Sequence, residues 1–174
     1  MRYGIIGING RMGQEIKGLF DDQGHDLVFS YDKDEEFRQS KPEIIIDFSL
    51  PNALDKTLNY VQEFNCGLII GTTGLSQGQF DQLEEISQKV PVVQAYNYSI
   101  GIQMLLKATE LLNQHISDWD IEITETHHRF KKDKPSGTAK MLQSVFDREI
   151  PVNSLRLGNV PGDHSVHFGS LGET

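Results

Sequence analysis

The chain has 174 residues, of which 37% are hydrophobic and 24% charged, with a formal net charge of −9 and one cysteine, Cys66. This composition is typical of a globular protein, the lone cysteine excludes an intramolecular disulfide and a cysteine-rich zinc site, and the acidic balance argues against a general nucleic-acid surface. No apolar run reaches the roughly 18 residues that cross a bilayer, and residues 1–4 do not resemble a secretory signal, so we expect a cytoplasmic protein.

The first half of the chain alternates short apolar runs with segments of helical spacing. The runs predict buried strands at residues 3–6, 27–31, 44–48, 68–70 and 92–95, and the helical segments are residues 11–22, 52–63 and 79–89. Pro51 suits the first turn of the second helix, and Ser76 with Gln79 has the form of a capping box for the third. Residues 33–41 are polar and indicate a connection. The alternation predicts a Rossmann-like domain with a parallel sheet covered on both faces.

The pattern changes after Ala95. Residues 102–115 have helical spacing, and residues 119–126 alternate strictly, with Trp119, Ile121 and Ile123 on one face. A basic loop, a helix beginning near Ser136 and a weaker strand at residues 165–169 follow. We therefore predict an α/β chain with a dinucleotide-binding domain at residues 1–97 and a smaller α+β domain with an open mixed sheet at residues 98–174.

A glycine-rich turn directly follows the first predicted strand and opens the first predicted helix. Its residues are Gly7, Ile8, Asn9, Gly10, Arg11, Met12 and Gly13. Glycines permit a tight turn and allow backbone N–H groups to approach a pyrophosphate at the positive end of the helix. The spacing is G-x-x-G-x-x-G, so the turn alone fits a cofactor loop and a simple strand–helix connection equally well.

Other residues at the carboxyl ends of the predicted strands favour the cofactor interpretation. Asp32 ends the second strand, where an acidic side chain accepts hydrogen bonds from an adenosine ribose. Lys33 and Arg11 lie where a 2′-phosphate would bind, which leaves both NADH and NADPH open. The fourth and fifth strands end at the same edge, with Gly71, Thr72 and Thr73 and with Ala95, Tyr96, Asn97 and Tyr98.

Residues 125–139 contain two adjacent histidines, a cluster of cations and a Ser136-Gly137-Thr138 helix start. Neighbouring strand residues point to opposite faces, so His127 and His128 cannot have the same role if the strand continues through them. A histidine suits the delivery of one proton near neutral pH, Lys131 offers a fixed positive charge, and Gly137 with Thr138 can hold a carboxylate. The basic cluster also fits a solvated loop. A metal site is disfavoured because no H-E-x-x-H motif or neighbouring cysteine is present.

These motifs together resemble the 4-hydroxy-tetrahydrodipicolinate reductase (dihydrodipicolinate reductase) family. The resemblance lies in residues 7–13, 71–74, 97–101 and 125–139, the last of the form E-x-H-H-x-x-K-x-D-x-P-S-G-T-A, and residues 158–164 and 172–173 extend it. It implies that NADH or NADPH reduces a cyclic imine dicarboxylate in lysine and diaminopimelate biosynthesis. It also implies a homotetramer assembled through the sheet of the second domain.

The resemblance also implies roles for individual residues. His127 stands at the position of the proton donor and Lys131 at that of the catalytic lysine, while the substrate-contacting positions are His128, Gly137 and Thr138. The implied nucleotide-contacting residues are Gly7, Ile8, Asn9, Gly10, Arg11, Met12, Asp32, Lys33, Gly71, Thr72, Thr73, Ala95, Tyr96, Asn97 and Tyr98.

Two features of the loop depart from the family pattern: Phe130 replaces a histidine of several members, and Lys132 and Lys134 make the loop more basic. In addition, the family's usual C-terminal return segment is expected to be absent after Thr174. Two alternative functions also remain open. A nicotinamide-binding sensor without turnover would use the glycine turn and Asp32 equally well, although it has no need of the His-His-x-x-Lys pattern. An amino-acid dehydrogenase is a further alternative.

Overall fold

In a computed structural model, which describes residues 1–116 and 118–174, the chain folds into two compact units: unit 1, Met1–Tyr96, and unit 2, Asn97–Thr174. None of the helices in these described ranges is long and apolar enough to span a membrane. The predicted α/β class, with a mostly parallel sheet followed by a smaller mixed sheet, is confirmed.

Unit 1 is a six-stranded sheet in the order β3-β2-β1-β4-β5-β6, in which all neighbours are parallel except β2 and β3. This is the strand order of dinucleotide-binding sheets. Its elements are β1 (Arg2–Ile6), α1 (Arg11–Asp22), β2 (Asp26–Asp32), β3 (Glu35–Arg38), β4 (Ile44–Asp47), a short 3₁₀ helix (Pro51–Ala53), α2 (Leu54–Phe64), β5 (Gly67–Ile70), α3 (Gln77–Ser87) and β6 (Val92–Gln94).

Apolar side chains cover both faces of this sheet, as its parallel strands require. One face packs Phe29, Ile45 and Leu68 against α2 and α3, and the other packs Tyr3, Ile5 and Ile46 beneath α1. The predicted capping box is confirmed, because Ser76 accepts from the Gln79 amide while the Gln79 side chain accepts from the Ser76 amide.

The prediction that residues 33–41 form only a connection is wrong. They contain β3, an antiparallel edge strand that pairs Asp32 with Glu35 across a two-residue turn. The turn residues Lys33 and Asp34 have φ angles of 47° and 69°. A two-residue hairpin of this kind needs positive φ at both central positions, where Asn-Gly is usual, so the Lys-Asp pair concealed the hairpin.

Unit 2 is a three-stranded sheet in the order β8-β7-β9, with β7 parallel to β8 and antiparallel to β9. Its elements are α4 (Ile100–His115), β7 (Asp120–His127), α5 (Gly137–Gln143), β8 (Val152–Arg156) and β9 (Asp163–Gly169). The predicted strand alternation is confirmed for β7, where Ile121 and Ile123 are buried against α4 and α5. Trp119 lies just outside the strand, and β8 was not predicted.

A buried aspartate organises the edge of unit 1 that carries the predicted nucleotide residues. Asp47 ends β4 and is only 1% exposed. Its carboxylate accepts from the Ser49 hydroxyl at 2.6 Å, the Ser49 amide at 2.9 Å, the Thr57 hydroxyl at 2.6 Å and the Thr72 hydroxyl at 3.0 Å. It therefore joins the segments that follow β4 and β5 to α2.

We predict that Asp47→Ala lowers the free energy of unfolding by about 2 kcal/mol or more, because it removes the acceptor of the buried Thr72 hydroxyl and of the Ser49 amide and hydroxyl. Urea titration followed by circular dichroism measures the change. The matched control is Asp22→Ala, at the exposed end of α1. Equal unfolding midpoints for the two variants would contradict the stabilising role of Asp47.

Candidate functional site

The turn between β1 and α1 is built around glycine. Gly7 has a φ of 78°, and a Cβ at Gly13 would lie 2.3 Å from the Gly7 carbonyl oxygen. Gly10 is the N-cap of α1 and no side chain caps the helix. The first-turn amides, including those of the exposed residues Arg11 and Met12, consequently have no partner within the helix. This arrangement fits a pyrophosphate group.

A cavity of about 560 Å³ lies beside this turn and is lined by five of the predicted nucleotide residues, Gly7, Asn9, Gly10, Asp32 and Lys33. Asp32 Oδ2 accepts a hydrogen bond from the Asn9 amide at 2.8 Å. Lys56, which the sequence analysis did not identify, lines the same cavity and lies 5.4 Å from the centre of the Tyr31 ring. The cavity thus offers a carboxylate for ribose hydroxyl groups and two ammonium groups for phosphate.

The predicted residues after β5 and β6 lie outside that cavity's lining. Gly71 packs against the Phe48 ring so closely that a Cβ would be 2.1 Å from it. The Thr72 hydroxyl is buried and donates to Asp47, so only its backbone remains for a ligand, whereas Thr73 is exposed. Tyr96 is exposed and contacts the Phe80 ring. Ala95 is partly buried and Ile8 packs beneath the sheet.

Asn97 and Tyr98 belong to unit 2. The Asn97 side chain donates from Nδ2 to the Thr138 hydroxyl at 2.9 Å and accepts from the Ser99 amide at 2.8 Å. A residue expected to contact the nucleotide is therefore hydrogen-bonded to one expected to contact the substrate.

In unit 2, the alternation of β7 continues past its apolar residues and directs Glu125 and His127 to the buried face. Glu125 is 0% exposed and His127 is 8% exposed. His128 lies beyond the strand, is half-buried, and begins the turn in which its carbonyl accepts from the Lys131 amide at 3.1 Å. The strand thus ends at His127 and does not continue through His128, and the two histidines have different surroundings.

Glu125 is the centre of a hydrogen-bond network. It accepts from His127 Nδ1, from Arg156 Nη1 and Nη2 at 2.9 and 2.8 Å, and from the Ser136 amide at 3.3 Å. Burial works to raise the pKa of Glu125, but hydrogen bonds from Arg156, Ser154 and His127 outweigh it and lower the pKa to about 2. The group is therefore a carboxylate throughout the physiological range.

Arg156 extends this network into the basic loop. Besides binding Glu125, its guanidinium group donates to the carbonyl groups of Lys131, Asp133 and Leu155. The Lys131 ammonium group forms an ion pair with Asp133 at 2.8 Å. Burial works to raise the pKa of Asp133, and the bond to Lys131 reverses this and lowers it. The loop is therefore anchored by its backbone while the Lys131 ammonium group is held by a single carboxylate.

The start of α5 is fixed by Ser136, whose hydroxyl accepts from the Ala139 amide at 3.2 Å. The same hydroxyl lies 3.1 Å from His164 Nε2. Gly137 and Thr138 follow as the first residues of the helix, and their amides have no carbonyl partner within it. Through Glu125, this helix start is linked to both His127 and the loop that carries Lys131.

Glu125, His127 and His164 each present one possible metal ligand within 4.8 Å of one another. Both oxygens of Glu125 already accept from Arg156, and a guanidinium group cannot lose its proton. A cation at this position would have to displace a bound cation, so the cluster is better described as a hydrogen-bond network than as a metal centre.

Sequence reasoning did not assign a role to Glu125, Arg156 or His164. A signal for Glu125 was available, because it continues the buried face of β7 on which Ile121 and Ile123 lie. Arg156 lies on the strand that was not predicted, and His164 stood in the matched segment 158–164 without a role.

Known proteins match both units. Residues 1–98 match the family model described as Dihydrodipicolinate reductase, N-terminus, and residues 101–174 match the one described as its C-terminus. The 4-hydroxy-tetrahydrodipicolinate reductase of Thermosipho africanus is 50% identical over 173 residues, which are 99% of this chain and 80% of that protein. The enzyme of the same name from Rickettsia rickettsii is 35% identical, covering 97% of this chain and 80% of that protein.

A solved structure agrees in fold. The dipicolinate-bound dihydrodipicolinate reductase of Paenisporosarcina sp. TG-14 aligns with a TM-score of 0.77 and 24% identity, over 99% of this chain and 84% of that one. Because the family models cover nearly the whole sequence and the Thermosipho relative is half identical, the chain belongs to the dihydrodipicolinate reductase family.

Proposed function

We propose that this protein transfers a hydride from NADH or NADPH to 4-hydroxy-tetrahydrodipicolinate, giving tetrahydrodipicolinate in lysine and diaminopimelate biosynthesis. The observation that carries the proposal is the network around Glu125, which ties a histidine, a lysine-bearing loop and the start of α5 to one carboxylate. An imidazole, an ammonium group and free amides are the groups that reduction of a dianionic imine requires.

In the proposed assignment, unit 1 is the dinucleotide-binding domain. A bound nicotinamide nucleotide supplies the hydride. The glycine turn from Gly7 to Met12 would hold its pyrophosphate and Asp32 its ribose, while Lys33 and Lys56 offer charge to a 2′-phosphate.

Unit 2 is the proposed substrate domain. Lys131, His128 and the amides of Gly137 and Thr138 would bind the carboxylates, because cations and free N–H groups stabilise anionic oxygens. The bound ligand in the description of the Paenisporosarcina structure, dipicolinate, is a planar cyclic dicarboxylate and supports this substrate class.

The proposed reduction adds one hydride and one proton to the substrate, and His127 supplies the proton. Loss of the substrate hydroxyl as water leaves a carbon–carbon double bond conjugated with the imine. Hydride adds to one carbon of that bond and a proton from His127 Nε2 adds to its neighbour. The imidazole then regains a proton from solvent, so the net reaction consumes the reduced nucleotide and one proton and releases water.

The sensor and amino-acid dehydrogenase alternatives are tested by the same assay. NADH absorbance is followed with the cyclic dicarboxylate, with an amino acid and its keto acid, and with no addition. The proposed function predicts oxidation with the dicarboxylate alone. Binding of NADH without turnover on any substrate would instead support a sensor.

We predict that His127→Gln lowers kcat by about 100- to 10,000-fold, the usual effect of losing a general acid, with no change in the dissociation constant of NADH. Steady-state kinetics and fluorescence titration measure the two quantities. His115→Gln, at the exposed end of α4, is the control and should retain full activity. A parallel loss of turnover and NADH binding would point to misfolding and contradict the role of His127.

We predict that Lys131→Met raises KM for the dicarboxylate by about 10- to 100-fold, because it removes a charge-assisted hydrogen bond. Lys132→Met is the matched control, since Lys132 is the adjacent exposed lysine of the same loop. Initial rates at varied substrate concentration separate the variants. Equal KM values would show that the ammonium group of Lys131 does not bind substrate.

We further propose a cytoplasmic homotetramer assembled through the exposed face of the unit 2 sheet. This face carries Glu122, Asn153, Leu155, Ser165 and His167 in register on its three strands. Light scattering coupled to size-exclusion chromatography measures the assembly, and a monomeric mass would contradict it.

A further inference from the structure

We propose that Glu125 is the positioning residue for His127, and that it fixes the imidazole with Nδ1 protonated so that Nε2 is the only atom that can exchange a proton with the substrate. Arg156 holds Glu125 in place and anchors the loop of Lys131. This inference rests on the proposed function and adds to it an explanation of how the His127 imidazole is oriented.

The polarity of the His127–Glu125 bond follows from the charge of Glu125. An ionised carboxylate only accepts hydrogen bonds, so the bonded atom, Nδ1, must carry the hydrogen. Neutral His127 is then the Nδ1–H tautomer with a lone pair on Nε2, and the charged form carries its second hydrogen on Nε2. The proton given up is consequently always the one on Nε2.

The ionisation of Glu125 is secured by Arg156. Its guanidinium group makes five hydrogen bonds, two to Glu125 and three to backbone carbonyl groups, which uses all five of its N–H donors. A carboxylate pKa of about 2 agrees with this pairing. Neither partner can turn away without leaving a buried charge uncompensated.

Gly162 lies against the other side of the imidazole, next to Nε2. Its φ of 153° disfavours other residues, and a Cβ there would lie 2.9 Å from His127 Nε2 and 3.1 Å from Cδ2. Nδ1 is held by Glu125, and Nε2 is the nitrogen that faces Gly162. The ring therefore has one nitrogen fixed by Glu125, and the proposal assigns the other to the substrate.

His164 packs edge-on to His127, with ring centroids 5.1 Å apart and planes at 78°. Its Nε2 is bonded to Ser136, and burial followed by the charge of His127 lowers its pKa. The lowered pKa favours the neutral form of His164, which packs against the His127 ring.

The alternative is that Glu125 and Arg156 form a purely structural ion pair. In that case Glu125 does not determine the tautomer of His127. Two-bond ¹H–¹⁵N correlation spectra of the imidazole-labelled full chain report that tautomer directly. In the unaltered protein with His127 neutral, we expect the Nδ1–H form. Observation of the Nε2–H form or an equal mixture would overturn the proposal, whether or not the protein has reductase activity.

The Glu125→Gln variant tests the same bond by reversing its polarity. The Gln carbonyl would accept from Arg156, and its amide group would donate to His127 Nδ1, which forces the Nε2–H tautomer. We expect that tautomer and a loss of about 100-fold or more in kcat, with KM for substrate unchanged. A wrong histidine tautomer has an effect of this kind in the carboxylate–histidine pair of serine proteases. Glu110→Gln, exposed on α4 of the same unit, is the control.

The Gly162→Ala variant tests the space next to Nε2 of His127 separately from the orientation of the ring by Glu125. The added methyl group crowds Nε2 and leaves the bond between Nδ1 and Glu125 intact, so we expect the Nδ1–H tautomer together with a kcat loss of about tenfold or more. Full activity of either variant, provided that its spectra show a folded protein, would contradict the proposal.

If the unaltered protein fails to oxidise NADH with the dicarboxylate, the proposed function fails, while the tautomer of the unaltered protein still tests the positioning by Glu125.

Discussion

The buried ion pair between Glu125 and Arg156 is the constraint on which the geometry of unit 2 depends. A carboxylate with no exposed surface is costly unless its oxygens are fully paired, and here each oxygen accepts from two donors. Those donors come from β7, β8 and the start of α5. One charge thus fixes the positions of His127, of the loop that carries Lys131, and of the helix amides.

Unit 1 also contains a buried carboxylate, but its hydrogen-bond donors are neutral groups. Asp47 is almost as buried as Glu125, but it accepts from hydroxyl groups and an amide of residues that follow two neighbouring strands. In both units, a buried acid at or near the end of a central strand holds the loops that extend beyond the sheet. This places rigid backbone amides at sheet ends, where α/β folds bind their ligands.

Much of the fold could be predicted because its signals are local. The apolar runs, the Ser76 capping box and the glycine turn each reflect the conformation of a few adjacent residues, and the structure contains all of them. The hairpin at Lys33 and Asp34 was missed because a turn with two positive φ angles is usually marked by glycine, and this turn contains none. The strand β8 was missed because its residues are only partly buried and lack strong periodicity.

The candidate site was harder to derive from sequence than the fold. His127 and Lys131 lie in one motif and were identified through it, but their support comes from Arg156, which is 25 residues from Lys131 along the chain. The contact between Asn97 and Thr138 is similarly distant in sequence. Hydrogen bonds between distant residues leave no periodic pattern, so only the folded structure reveals which side chains share a carboxylate.

The central claim is that Glu125 and Arg156 present an imidazole, an ammonium group and two amides to one dicarboxylate. A crystal structure of the full chain with bound dipicolinate tests it most directly. We expect carboxylate oxygens on the amides of Gly137 and Thr138 and on Lys131, with Nδ1 of His127 on Glu125 and Nε2 towards the ligand ring. A ligand bound elsewhere, or an imidazole turned away from Glu125, would contradict the account.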